Sequence, residues 1–233
     1  MKNSIYTSLV ALFIIVSLQV SAQTVTEQTR QVSGFSSLAS SGPFNVHVKL
    51  NGTESLKISA DDALINDIET TVIEETLTIR FKKGFKRDKS SNKIDVYVTA
   101  KNLKALVNSG SGSINVDGTI NTNNFSAVLS GSGSISSDIK TKELRAVISG
   151  SGSINITGSA SEASVTVSGS GNMRAKDLGT ESTSATVTGS GNVYVAATKT
   201  VNARIIGSGQ VVYSGDAKVQ SSTIGSGKVT KAN

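Results

Sequence analysis

Apolar and polar residues alternate through residues 104–233, and Gly-Ser-Gly breaks the alternation at near-regular intervals. Counting back from the first glycine, the second and fourth positions read Leu129/Ala127, Ile148/Ala146, Val167/Val165, Val187/Ala185 and Ile205/Ala203. The position between them reads Val128, Val147, Thr166, Thr186 and Arg204. Beyond the triplet the rhythm resumes, with Ile114/Val116, Ile154/Ile156, Met173/Ala175, Val193/Val195 and Val211/Tyr213 facing one way. Period-two alternation rich in β-branched residues is the pattern of a half-buried strand. Each repeat therefore reads as strand, Gly-Ser-Gly, strand and a variable turn, often with a glycine (Gly118, Gly158, Gly179, Gly215).

The seven triplets begin at Gly110, Gly131, Gly150, Gly169, Gly189, Gly207 and Gly225, spaced 21, 19, 19, 20, 18 and 18 residues apart. A fixed period of this size marks stacked supersecondary units and excludes a random linker. A meander of hairpins would need two-residue turns such as Asn-Gly, which the repeats lack. A parallel β-helix instead stacks equivalent positions about 4.8 Å apart, so each column keeps its residue type. The glycines then serve a corner that turns sharply and has no room for Cβ. The expected fold is all-β: a parallel β-helix, or β-solenoid, over 104–233 with coils of 18–21 residues. The usual hand of parallel crossovers predicts a right-handed coil. Residues 23–103 are less regular but still β, with "FNVHVKL", "SLKISA", "TLTIRF" and "KIDVYVTA" alternating. They suit an N-terminal cap. "SGPFNVHV" reads as a diverged copy of "SGSGSINV", and "DDALINDI" has helical spacing, with Asp61 or Asp62 as N-cap.

The serial "GSGSIN" units (Gly110–Asn115, Gly150–Asn155), the entry "GFSSLASSGPFNVHV" and "ISADDALINDIETTV" resemble the auto-transporter adhesin family with the "head GIN domain". The resemblance covers roughly residues 30–230. It implies an exported bacterial β-solenoid and a noncatalytic adhesin-like or surface-interaction module that binds glycan or envelope components. No C-terminal run of alternating, aromatic-girdled segments follows, so this chain is not expected to build an outer-membrane barrel.

Composition adds the compartment. Lys2, the apolar run "LVALFIIVSL" (Leu9–Leu18) and Val20-Ser21-Ala22 form a signal peptide over residues 1–22, with cleavage expected before Gln23. The product would lie in the periplasm, at the cell surface or outside the cell, with no transmembrane segment. The chain has no cysteine, so packing alone holds the fold. Without Lys2, 22 basic and 17 acidic residues leave a net charge of +5. Much of the excess lies in "FKKGFKRDKSSNK", where Lys82, Lys83, Lys86, Arg87, Lys89 and Lys93 face only Asp88. This is a solvated loop or a contact for an anionic surface such as lipopolysaccharide or acidic glycan. Nucleic acid fits least, because no aromatics interleave for base stacking.

Little in the chain points to catalysis. One histidine, His47, lies between Val46 and Val48 and is expected to face outward. With no cysteine and a single histidine, a His/Cys zinc site is excluded, and no Gly-x-Ser-x-Gly elbow supplies a nucleophile. Every Gly-Ser-Gly leads into a strand, which excludes a helix-capped phosphate loop, and the turns lack the aspartates of a calcium-binding roll. No cofactor is expected. Glycoside hydrolysis needs two carboxyls about 5–9.5 Å apart, and Asp117 and Asp138, followed by Asp177, are the acids expected to stack. A β-helix carbohydrate-active enzyme is thus one alternative, and a structural envelope spacer another. The remaining candidates for ligand contact are the outward serines Ser111, Ser132, Ser151, Ser170 and Ser190, continued by Ser208 and Ser226, together with Lys82, Lys83, Lys86 and Arg87.

Overall fold

The computed structural model describes residues 25–85 and 93–232. The expected cleavage site before Gln23 and the cations Lys86, Arg87 and Lys89 lie outside the described residues. The protein is an all-β solenoid of about seven turns. Its regular part is a stack of long parallel strands, β8 (Ala105–Gly110), β9 (Ser113–Asn121), β10 (Asn124–Gly131), β11 (Ser134–Gly150), β12 (Ser153–Gly169), β13 (Asn172–Gly189) and β14 (Asn192–Gly207). Equivalent residues lie in register, so that Ile148, Val167, Val187 and Ile205 form one buried column and Ile154, Met173 and Val193 another. Polar neighbours such as Ser149 and Ser168 face solvent.

In β11 to β14 the turn expected after the second half of the repeat is instead continuous strand, whereas the ladder does break between Asn121 and Asn124 and between Ser214 and Lys218. Each of β11 to β14 runs from one Gly-Ser-Gly to the next. Differences in coil length are absorbed by register shifts between Asn155 and Gly158 and between Ala175 and Gly179. An extra residue bulges out of the ladder without ending it. At the corner, Gly150 has φ +120°, a conformation that a side chain disfavours. A Cβ on Gly152 would overlap the carbonyl oxygen of Gly133 in the coil before.

The N-terminal coils stack in an order different from the sequence. β2 (Ser37–Ser41) and β3 (Phe44–Leu50) pair in parallel with β8 and β9, with Leu38 on Leu106 and Val46 on Ile114. On their other side they pair with β6 (Thr76–Phe81) and β7 (Ile94–Ala100), with Leu38 on Leu77 and Val46 on Val96. Ser41-Gly42-Pro43-Phe44 thus occupies the corner that Ser109–Gly112 occupies in the next coil, with the Phe44 backbone against Gly112.

Antiparallel strands cover the outer side of this end. β4 (Ser55–Asp61) lies along β7, β1 (Val25–Arg30) along β4, and β5 (Ile68–Ile73) along β6. The hairpin between β5 and β6 turns through Glu74 and Glu75, at φ +47° and +58°. Neither residue favours that conformation, so the sequence gives no hint of the turn. The short helix α1 (Asp62–Ile65) is capped by Asp61, whose Oδ1 accepts from the Ala63 amide at 2.9 Å. Arg30 binds this cap together, donating to the carbonyls of Ile68 at 2.6 Å and Ile65 at 2.9 Å. One buried hydrophobic cluster runs from Phe35 to Val211.

Candidate surface-interaction site

The Gly-Ser-Gly corner directs one hydroxyl per coil into solvent. The serine amides are used internally, with Ser151 N donating to Gly131 O at 3.1 Å and Ser170 N to Gly150 O at 3.0 Å. Ser111, Ser132, Ser151, Ser170 and Ser190 are all exposed. Ser111, Ser132 and Ser151 line a trough of about 360 Å³. Ser170 and Ser190 continue the column past it.

The opposite wall was not anticipated from the sequence. It consists of Ser113, Ser134 and Ser153, with Asn45, Asn155 and Arg174. These residues form a polar ladder: Ser113 Oγ to Asn45 Oδ1 at 3.3 Å, Asn155 Nδ2 to Ser136 Oγ at 3.3 Å, and Arg174 Nη1 to Asn155 Oδ1 at 3.5 Å. The first and third positions after each Gly-Ser-Gly carry it, and their run of Ser, Asn and Arg was the available signal. Among the described residues Arg174 is the only ionisable one in the lining, so these residues offer the trough hydroxyl, amide and guanidinium groups.

The basic segment begins at the same corner. Arg80 aligns with Ser41 and Ile94 with Phe44, so the chain leaves β6 and re-enters at β7 beside Gly42-Pro43 of the adjoining coil. Lys82 and Lys83 are exposed, and Lys93 Nζ lies 3.2 Å from Asp95.

The carboxylates do not stack as expected. Asp138 aligns with Thr119 and Thr157 and accepts from both hydroxyls, at 2.6 and 2.9 Å. Asp117 aligns with Lys49, and Asp177 falls in the register shift after Ala175. The shift between Ser136 and Asp138 displaces the acids from one another, so Asp117, Asp138 and Asp177 do not form the stacked pair expected of them. His47 is half-buried, 3.2 Å from Asp95 and stacked on Tyr97 at 5.2 Å between ring centroids. Lys57 lies over the Tyr97 ring at 5.3 Å. These groups satisfy one another. Among the described residues no group of three or more His, Cys, Asp or Glu side chains could hold a metal, and no helix is long and apolar enough to cross a membrane.

A second concavity, of about 790 Å³, runs along the strands that precede the corner. It extends from Ser37 and Lys104 to Asn202 and is bordered by Glu143, Arg145 and Glu162. At its head, Glu75 accepts from Lys104 at 2.6 Å and from Ser36 Oγ at 2.8 Å. The Lys104 ammonium, followed by the Ser36 hydroxyl, holds the Glu75 carboxyl below its ordinary range. Glu54 is held low in the same way, first by Lys101 and then by the amides of Gly34 and Phe35.

The sequence profile of a family described as "Putative auto-transporter adhesin, head GIN domain" matches residues 34–217. Among solved structures, a "putative adhesin" from Bacteroides fragilis NCTC 9343 is 21% identical with a TM-score of 0.84. A "putative lipid binding protein" from Parabacteroides distasonis ATCC 8503 is 23% identical with a TM-score of 0.74. A "putative adhesin" from Parabacteroides merdae ATCC 43184 is 22% identical with a TM-score of 0.72. Each match covers 91% of this chain and 98% of the other. At this identity the likeness establishes the fold. No curated protein matches the chain.

Proposed function

The chain belongs to the auto-transporter adhesin family with the head GIN domain, and from that premise we propose that it is an exported, noncatalytic module that binds a glycan of the cell envelope or of a neighbouring surface. The observation that carries this reading is the corner trough, where hydroxyls, amides and one guanidinium repeat at the strand spacing of about 4.8 Å. Such a surface can hydrogen-bond a repetitive polyhydroxyl ligand along its length. The basic residues Lys82, Lys83, Lys86 and Arg87 extend the same reading to acidic glycans.

A glycan array probed with the mature chain, beside a polysaccharide depolymerisation screen, tests it. Retention on specific glycans is expected, weakened about tenfold or more by Asn155→Ala with Arg174→Ala. Release of new sugar ends from any glycan would overturn the noncatalytic reading. A second reading, lipid recognition, is favoured by the 790 Å³ groove, and one structural neighbour is described as a lipid binding protein.

A further inference from the structure

The groove is the larger concavity, and its chemistry differs from the trough's. It lies over the buried side chains of Phe125, Leu144 and Ala163, with half-buried Ala105 at its head. The next outward column along the same strands is Ala39, Val107, Val128 and Val147, all half-buried. Outward positions elsewhere in the coils are mostly Ser, Thr, Asn, Lys or Glu, so an aliphatic outward row beside a groove is a departure that calls for a partner. From Ser37 to Asn202 the lining crosses seven strands, a length of about 29 Å at roughly 4.8 Å per strand. From Glu143 to the Ser37 end, past Phe125 and Ala105, it is about 14 Å, close to the roughly 15 Å of one leaflet's hydrocarbon.

The border is charged with both signs. Glu143 and Glu162 align in adjacent coils, and Arg145 stands two residues along the strand from Glu143. None of the three forms an ion pair among the described residues. Other charged residues nearby are paired, as in Lys104–Glu75 and Lys199–Glu181. Two aligned carboxylates repel each other, and a cation placed between them would relieve that repulsion.

We propose that this groove seats the acyl chain of a zwitterionic amphiphile, with its ammonium group at Glu143 and Glu162 and its phosphate at Arg145. The assignment rests on the lipid reading above and specifies its site and class. An extended peptide fits less well. Every strand beneath the groove is paired on both sides from β10 to β13, so a peptide's amides would find no ladder to join. Unpaired amides held against apolar surface are costly, whereas a hydrocarbon chain carries none.

The test uses the mature chain and monomeric palmitoyl lysophosphatidylethanolamine, with lysophosphatidylglycerol of the same chain length as the anionic comparison. Binding is read by native mass spectrometry and calorimetry. One lysophosphatidylethanolamine per chain is expected, preferred about tenfold over the anionic lipid. Ser164→Trp fills the groove from an exposed position and should abolish binding with circular dichroism and melting unchanged; Ser184→Trp, one coil on, is the second variant should the first misfold. Glu143→Gln with Glu162→Gln should retain binding and erase the preference. Equal binding of both lipids by the unaltered chain would overturn the zwitterion assignment while leaving lipid recognition standing. Binding unmoved by a folded Trp variant would remove it from the groove. No binding of either lipid would refute both.

Discussion

Ile148 and Ser151 stand three residues apart and meet opposite environments, one fully buried and one exposed at the corner. Truncating Ile148 or Ile154 to Ala opens a cavity in a packed column and should cost about 2–5 kcal/mol. Ser151→Ala should cost less than about 0.5 kcal/mol. Urea titration of the three variants measures both, and a larger loss at Ser151 would contradict the register. Glu54 and Glu75 give a pH dependence. Their carboxyls titrate below their ordinary values in the folded protein, so they stabilise it above the unfolded carboxylate range, about 4.3. That contribution disappears as pH falls through the lower folded values. Acid unfolding should therefore be shallower in Glu54→Gln, and an unchanged slope would rule out the clamp. Inward and outward residues were legible because alternation reports them directly. The separation of Asp117 from Asp138 was not, since their 21-residue spacing conceals the bulge that shifts them.

At the scale of elements, the parallel strands followed from the repeated columns, and the Asp61 cap from its position before an apolar run. The antiparallel cover was beyond reach of the sequence. Its strands read as ordinary alternating β, and pairing partners far apart in the chain leave no local mark. Arg30 holds this cover through two backbone carbonyls. Arg30→Met keeps the aliphatic stem and leaves both carbonyls short of a donor, for an expected loss of about 1.5–3 kcal/mol. Hydrogen exchange should show the loss in β1 and β5 first; equal exposure across β11 to β13 would contradict a local role. The hairpin at Glu74 and Glu75 offers the opposite sign. Glu74→Asn suits its positive φ and should raise the melting temperature, by up to about 1 kcal/mol of stability.

Across the whole molecule, stability is a sum over coils and their interfaces. Deleting residues 151–169 removes one 19-residue unit and joins Gly150 to Ser170, restoring the triplet. The shortened chain should keep its β circular dichroism and unfold with a smaller denaturant slope, because less surface is exposed. Loss of β signal would mean that the coils are not interchangeable. The N-terminal coil follows a different rule. β2 and β3 lie between a coil formed by β6 and β7 and another formed by β8 and β9, so both neighbours are encoded downstream. A chain synthesised N-terminus first carries this coil without either partner until Thr76 has been added, and closes its second side only after Ala105. Up to that point topology alone holds the leading end open. Past that point each new coil adds to a finished template, so the stack is completed in the order in which it is translated.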